Sequence, residues 1–204
     1  MRKVVSVSVW GNEPRHIQGV IKNADLVKQY YPEWEYWIYA EEHLHPLLKN
    51  TQAKIINPPK EINNGRFWRF LPAFDDSVDI MISRDGDSRI NPREVRCVAE
   101  WLESNKKYHV IRDHERHYDF PVLAGMWGMR GTPIAKKDSI FVFSSDKDAY
   151  LVDQIWLAKV MWKEIQNDVC IHGYKEVEWM KNTRPPLDFI GQGYDENDGA
   201  IYKQ

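Results

Sequence analysis

VDIMISRDGDSR, residues 78–89, is the stretch of the chain that decides its fold. Its first six residues form the most apolar strand candidate in the sequence. Asp85 and Asp87 follow, separated by Gly86, which has no Cβ and therefore permits an unusual φ/ψ at a turn. Ligands of parallel sheets bind beyond the carboxyl ends of the strands, so we expect this acid pair at a ligand-binding edge.

Strands and helices alternate on both sides of this stretch. The sequence predicts strands over 4–9, 35–39, 53–56, 108–112 and 169–171, helices over 14–31, 45–50, 92–102 and 150–165, a helical segment over 66–74 that Pro72 disturbs, and a glycine-punctuated segment over 123–131. The helix after Asn91 has the strongest start signal, because Pro92 and Glu94 complete a capping box. This order predicts an α/β fold with a mainly parallel central sheet and helices on both faces.

Composition narrows the class of protein. The 204 residues include 28 Lys and Arg against 30 Asp and Glu, and no basic run exceeds two residues, so a nucleic-acid partner is not expected. No apolar run approaches the roughly 18 residues of a membrane span. Cys97 and Cys170 form no zinc pattern and favour a reducing compartment, which predicts a cytoplasmic location. The nine Trp and ten Tyr residues either build a core or line a groove for a ligand.

The acid pair suggests a divalent metal. Carboxylates at i and i+2 can converge on one ion when the backbone turns between them, and hard oxygen ligands suit Mg²⁺ or Mn²⁺. Such an ion would neutralise a diphosphate leaving group. The alternative is a polar turn at a strand end. An EF-hand calcium loop is excluded, because Arg89 stands where a third oxygen ligand is required.

An ordered set of motifs resembles the GT-A glycosyltransferases that carry a DxD motif, and within them the small N-terminal glycosyltransferase domain of a chlorella-virus protein. The set lies within residues 66 to 172 and comprises Phe67-Trp68-Arg69-Phe70, Ser83 to Arg89, Pro92-Arg93-Glu94, Trp101, Arg112-Asp113-His114, Gly125-Met126-Trp127-Gly128, Asp153-Gln154 and the segment around His172. The resemblance implies one Rossmann-like GT-A domain over residues 1–204. Its nucleotide-binding half would cover about 1–90 and its acceptor-side half about 91–204.

The resemblance also implies an activity and a set of site residues. It implies transfer of a sugar from a UDP-sugar to a saccharide or glycoprotein glycan acceptor, with Mn²⁺ or Mg²⁺ held by Asp85, Asp87 and His172. Asp87 would be the direct ligand, and Asp85 would contact the ribose or the metal through water. His114 and His117 are weaker metal candidates. The donor contacts would come from Val9, Trp10, Gly11, Arg66, Arg69, Arg84, Asp85, Gly125, Met126 and Trp127.

Asp153 is the candidate catalytic residue. It interrupts an otherwise apolar helix, where a carboxylate is costly unless it is paired or functional. In an inverting transfer it would act as the base for the acceptor hydroxyl, and in a retaining transfer it would lie beneath the donor sugar. The structural alternative is a carboxylate stabilised by the helix dipole. Core packing is the alternative for Trp10 and Trp127, and a structural role is the alternative for His172.

Two other functions stay open. A sugar-1-phosphate nucleotidyltransferase shares the parallel sheet and the metal, but it usually carries a glycine-rich basic loop where this chain has WGNEPR, residues 10–15. A carbohydrate-binding module would use the tryptophans but would not need the acid pair.

We expect Trp68, Trp101 and Trp162 in the core and the tail from residue 184 to wrap over the domain. Whether further domains of a longer chain exist is also open.

Overall fold

The computed structural model describes residues 1–183 and 188–201, in which seven strands form one sheet in the order β3-β2-β1-β4-β6-β5-β7. The strands are β1 (Lys3–Val9), β2 (Glu35–Ala40), β3 (Lys54–Ile56), β4 (Ile80–Ser83), β5 (Tyr108–Arg112), β6 (Trp127–Arg130) and β7 (Val169–Gly173). Paired strands are parallel except at β6, which runs antiparallel to β4 and β5. The predicted α/β fold with a mainly parallel sheet is confirmed.

Helices and 3₁₀ segments cover the two faces of the sheet. They are α1 (Pro14–Tyr30), α2 (His45–Leu48), α3 (Pro92–Glu103), α4 (Asp138–Phe143), α5 (Val152–Trp156), α6 (Trp162–Ile165), α7 (Glu178–Asn182) and the 3₁₀ segments Glu42–Leu44, Gly65–Phe74 and Glu115–Tyr118. Helix α3 begins as predicted, with the Asn91 side chain accepting the Glu94 N–H at 2.9 Å and Pro92 at the first helical position. No helix within these residues is long and apolar enough to cross a membrane.

Three segments depart from the sequence prediction. The 3₁₀ segment Gly65–Phe74 continues past Pro72, because burial of its aromatic side chains holds it in place. The predicted helix over 150–165 begins at Val152, since Leu151 adopts a left-handed backbone (φ 59°), and it contains a π-helical segment, Leu157–Met161. The glycine-punctuated segment contains strand β6, which is too short for a periodic signal and is fixed by pairing with β4 and β5.

The alternation of side chains along β1 and β4 determines what reaches the ligand edge. Five residues pack against the layer of α1 and α3: Val5, Val7, Val9, Ile80 and Ile82. Ser6 pairs with Ser83 on the opposite face, which the 3₁₀ segment Gly65–Phe74 covers. Because successive residues alternate between faces, Asp85 continues the face of Ser83 while Arg84 continues the other face.

Candidate active site

A cavity of about 580 Å³ opens at the edge of the sheet where β1, β4 and β5 end and β6 begins. It brings together many of the residues that the sequence predicted for the site: Trp10, Arg66, Arg69, Asp85, Asp87, His114, His117, Gly125, Met126 and Asp153. Their side chains come from separate parts of the chain that meet only in the folded protein. The roles assigned to them stay predictions.

The turn that carries the acid pair is held from two sides. Within the turn, the Ser88 hydroxyl donates a hydrogen bond to the carbonyl oxygen of Asp85 at 2.9 Å, and Asn23 of α1 donates one to the carbonyl of Ser88 at 2.9 Å. Helix α1 also approaches so closely that a Cβ added at Gly19 would overlap the carbonyl oxygen of Gly86. The position of both carboxylates therefore depends on the packing of α1.

Arg69 links Asp85 to Asp153. Its side chain is only 10% exposed and donates hydrogen bonds to Asp85 Oδ1 and to Asp153 Oδ2, the latter at 2.9 Å. Burial lowers the pKa of the Arg69 guanidinium, but the charges and hydrogen bonds of the two carboxylates outweigh it and raise the pKa overall. The guanidinium thus stays charged between two acids. Arg69 is expected to contact the nucleotide. Its guanidinium could do so only while it also binds Asp85 and Asp153.

Asp153 lies in the first turn of α5, almost completely buried, and lines the cavity. Both of its oxygens accept hydrogen bonds, Oδ2 from Arg69 and Oδ1 from the backbone N–H of Gln154 at 3.0 Å. Leu151, the residue directly before α5, has the left-handed backbone that only few non-glycine residues adopt, a strained conformation of the kind that clusters at functional sites. The carboxylate is therefore fixed in position at the cavity wall.

Asp87 faces the beginning of α1. Its carboxylate lies 3.4 Å from His16 Nε2 and 3.9 Å from Arg15 Nε. Burial raises the pKa of Asp87, but the hydrogen bond of His16 and the charges of His16 and Arg15 outweigh it, so the pKa lies below its ordinary value. Asp87 is ionised at neutral pH, as a ligand of a divalent metal must be.

The carboxylates of the cavity are candidate ligands for a divalent metal. Among residues 1–183 and 188–201 no group of three His, Cys, Asp or Glu side chains is placed to hold an ion. Mg²⁺, however, is usually bound by one or two carboxylates together with waters and substrate phosphates. Asp85 and Asp87 line the same cavity and supply the hard oxygens for that mode. These two residues fit a metal that is completed by a diphosphate.

Val9 and Gly11 do not line the cavity, although Trp10 between them does. Val9 is fully buried on the α1 face, because alternation along β1 points it away from the side of Ser8. The N–H of Gly11 donates to the Glu41 carboxylate at 2.8 Å. Of the three residues expected to contact the base at the end of β1, only Trp10 thus lines the cavity.

Arg84 and Trp127 also lie outside the cavity lining, which corrects the expectation that they contact the donor. The Arg84 guanidinium is 2% exposed and donates to Glu94 Oε1 at 2.7 Å, on the α3 face of the sheet. Trp127 is fully buried, and its ring packs edge-on against Phe70 at 5.5 Å between centroids. Both are core residues.

His172 is placed away from the acid pair, which corrects its expected role as a metal ligand. It lies on edge strand β7, which β6 and β5 separate from β4, a distance of roughly 14 Å at about 4.8 Å per strand. Its ring bonds Glu100 Oε2 and His109 Nε2, both at 2.9 Å. Burial lowers the pKa of His172 despite the opposing effect of Glu100. It is a satisfied structural histidine.

Several cavity residues escaped sequence reasoning. They are Ser8, Arg15, His16, Arg116, Tyr150, Leu151, Phe189, Gly191 and Gly193. Ser8 carried a usable signal, because it shares the face of Trp10 along β1. The tail residues carried none, since their approach depends on the pairing of Gly193 with Ser88 over a long sequence separation.

Comparison with curated proteins gives a distant similarity. No family model matches the chain. Proteins of Staphylococcus aureus strains NCTC 8325 and COL, both described as uncharacterized lipoproteins, are 27% identical over 119 residues. The match covers 54% of this chain and 45% of each relative, so the chain matches less than half the length of these relatives.

Comparison with solved structures shows the fold. A glycosyltransferase involved in glycosylation of the major capsid of the chlorella virus PBCV-1 is similar over 85% of this chain and 82% of its own, with a TM-score of 0.51 and 12% identity. TarS of S. aureus, residues 1–349, has a TM-score of 0.51, 12% identity and coverage of 84% and 58%. CMP:2-keto-3-deoxy-manno-octonic acid synthetase complexed with CTP has a TM-score of 0.50, 12% identity and coverage of 85% and 90%. The chain has a GT-A-like fold, and the predicted likeness to the chlorella-virus enzyme is confirmed.

Proposed function

We propose that this chain is a glycosyltransferase that moves a sugar from a UDP-sugar to a saccharide acceptor with the help of Mn²⁺ or Mg²⁺. One observation carries the proposal. Asp85 and Asp87 follow the buried strand β4 into a large cavity at the edge of the sheet, where Asp85 pairs with Arg69 and Asp87 lies beside Arg15 and His16. A carbohydrate-binding module has no need of this arrangement.

The chain's own residues would divide the work along the cavity. Asp87 and Asp85 would hold the metal, whose chemistry is to neutralise the diphosphate as it leaves. Trp10 would contact the base and Arg66 the diphosphate, and the donor sugar would lie against Gly125 and Met126. A Cβ added at Gly125 would overlap the Asp85 carboxylate, so glycine there lets the wall and the acid approach each other. Asp153, held by Arg69, would face the reacting centre.

A nucleotidyltransferase is the second candidate, favoured by the likeness to the synthetase complexed with CTP, which is similar over 90% of its own length. The two activities release different products. Glycosyl transfer from a UDP-sugar releases UDP, whereas nucleotidyl transfer from a nucleoside triphosphate releases pyrophosphate. Parallel assays for both products therefore separate the candidates.

The test is to incubate the protein with UDP-glucose or another UDP-hexose and Mn²⁺ and to follow UDP release. We expect release that chelation of the metal abolishes and that Asp87→Ala lowers at least 100-fold. Asp25→Ala, which removes an exposed carboxylate of α1, is the matched control and should retain wild-type turnover. If no UDP-sugar binds with metal present, or if Asp87→Ala behaves like Asp25→Ala, the proposal is wrong.

The setting of the reaction is also a proposal. The sequence favours the cytoplasm, whereas the S. aureus relatives are described as lipoproteins. Fractionation of the source cells, with detection of the native protein, distinguishes a cytoplasmic from a membrane-associated enzyme.

A further inference from the structure

The part of the cavity that follows β5 carries a positive charge without a matching acid. Arg116 is exposed, lines the cavity and takes part in none of the ion pairs formed among residues 1–183 and 188–201. The three acids of the cavity already have basic partners. Asp85 and Asp153 share Arg69, and Asp87 lies beside His16 and Arg15.

The acids nearest to Arg116 in sequence do not neutralise it. Asp113 is fully buried and accepts two hydrogen bonds from Arg93, both at 2.7 Å, and one from the backbone N–H of Ile190 at 3.0 Å. Glu115 and Asp119 are exposed and form no ion pair with Arg116 in the described part of the chain. The charge of Arg116 is therefore directed at solvent or at a ligand.

Backbone hydrogen bonds occupy Nδ1 of the two neighbouring imidazoles. His114 Nδ1 accepts the N–H of Arg116 at 3.2 Å, and His117 Nδ1 accepts the N–H of Asp113 at 3.1 Å. With Nδ1 acting as an acceptor, each neutral ring carries its proton on Nε2. The charged hydrogen-bond donor of this wall of the cavity is the guanidinium of Arg116.

The strand order places this wall beyond the donor sugar. Along the edge of the sheet the site runs from Trp10 after β1, through Asp85 after β4 and Gly125 before β6, to Arg116 after β5. Neighbouring strands are about 4.8 Å apart, so β5 lies roughly 10 Å from β4. With the diphosphate proposed at the acid pair after β4, Arg116 lies on the side of the cavity that is left for the acceptor.

We infer that the acceptor carries an anionic group, a phosphate or a carboxylate, which Arg116 binds beside His114. The inference rests on the proposed function and specifies the substrate class of the same site. A guanidinium binds both groups through two parallel charge-assisted hydrogen bonds, which a neutral sugar hydroxyl cannot match.

Isothermal titration calorimetry of the protein saturated with UDP and Mg²⁺ tests this inference, with glucose 6-phosphate, glucuronate and glucose as probes. We expect one of the two anionic sugars to bind at least tenfold more tightly than glucose, and the better of the two identifies phosphate or carboxylate. Arg116→Ala should weaken that binding at least tenfold, and Arg116→Lys should restore part of it. Arg96→Ala removes an exposed arginine outside this cavity and should bind like the wild type.

The outcomes separate the inference from the function on which it rests. Failure of UDP with Mg²⁺ to bind the wild type contradicts the proposed function itself. If UDP binds but no anionic sugar is preferred over glucose, or if Arg116→Ala binds the anionic sugar like the wild type, the inference is wrong and the function stands. Competition between UDP and the anionic sugar also overturns the inference, because the sugar then occupies the diphosphate subsite.

Discussion

Arg69 and Arg84 are both buried arginines that bind carboxylates, but they belong to different regions of the molecule. Arg84 and its partner Glu94 are each 2% exposed, enclosed between the sheet and α3. Arg69 is 10% exposed and holds Asp153 at 5% and Asp85 at 41% exposure on the cavity side. The face of the sheet, rather than burial or pairing, separates the arginine that lines the cavity from the arginine in the core.

The two pairs also differ in what can replace a lost partner. The Arg84–Glu94 pair has no access to water, so removal of one member leaves an uncompensated charge in the core. Asp85, by contrast, faces a cavity where water, a metal or a ligand can take over part of the interaction with Arg69. The region around Arg84 is rigid by necessity, whereas the region around Arg69 can exchange partners.

Arg84→Ala should produce the largest loss of stability, because it leaves Glu94 buried without its cation. We expect the free energy of unfolding to fall by about 3–5 kcal/mol in urea titrations. The double variant Arg84→Met with Glu94→Leu removes both charges and should recover most of this loss. A loss below about 1 kcal/mol for Arg84→Ala would remove the basis of the comparison.

Arg69→Ala should cost less stability and more activity. Asp85 gains solvent, and the buried Asp153 keeps the Gln154 N–H and lines the cavity from which water can enter, so we expect a loss of roughly 1–3 kcal/mol in the same titrations. Turnover should drop about 100-fold, since Asp85 and Asp153 lose the group that holds them in position. Arg69→Lys retains the charge but not the bidentate geometry of the guanidinium. Its turnover should lie between those of the wild type and Arg69→Ala. Equal turnover of Arg69→Ala and the wild type would show that the linkage has no part in catalysis.

His172→Ala tests the other residue that lies on the α3 side of the sheet. Its removal leaves the buried His109 without its side-chain partner, whereas Glu100 keeps Arg96 and Trp179, and we expect a loss of about 1–3 kcal/mol in thermal or urea unfolding. Affinity for UDP with Mn²⁺ should stay within twofold of the wild type. If a folded His172→Ala variant bound UDP with Mn²⁺ tenfold more weakly than the wild type, His172 would be a metal ligand after all.

Asp87→Asn should have the smallest effect on stability, and that effect should depend on pH. The pKa of Asp87 is lowered by folding, so its contribution is present above the ordinary Asp value of about 4 and is lost as the pH falls through the lower folded pKa. In metal-free buffer the wild type should exceed Asp87→Asn by about 1 kcal/mol at pH 6. This difference should shrink in acid. A difference that grew there would contradict the lowered pKa of Asp87 in the folded protein.

Much of the fold and part of the site could be predicted from the sequence. Alternation and helix caps located β1, β4 and α3, and the acid pair located the ligand edge. The same alternation already separates Arg84 from Asp85 and Val9 from Trp10, because neighbours in a strand face opposite sides. The sequence contains no comparable signal for His172. Its distance from Asp87 depends on the insertion of β6 between β4 and β5, which local periodicity does not encode.

The close approach of Gly19 to Gly86 has a consequence for the mutational tolerance of the chain. In the interior of an exposed helix, replacing glycine by alanine usually stabilises by roughly 0.5–1 kcal/mol. At position 19 the added methyl group would push against the backbone between the two carboxylates. Gly19→Ala would thus favour the helix but displace Asp85 and Asp87. Glycine is required at this position of α1 because the turn around Gly86, distant in sequence, packs directly against it.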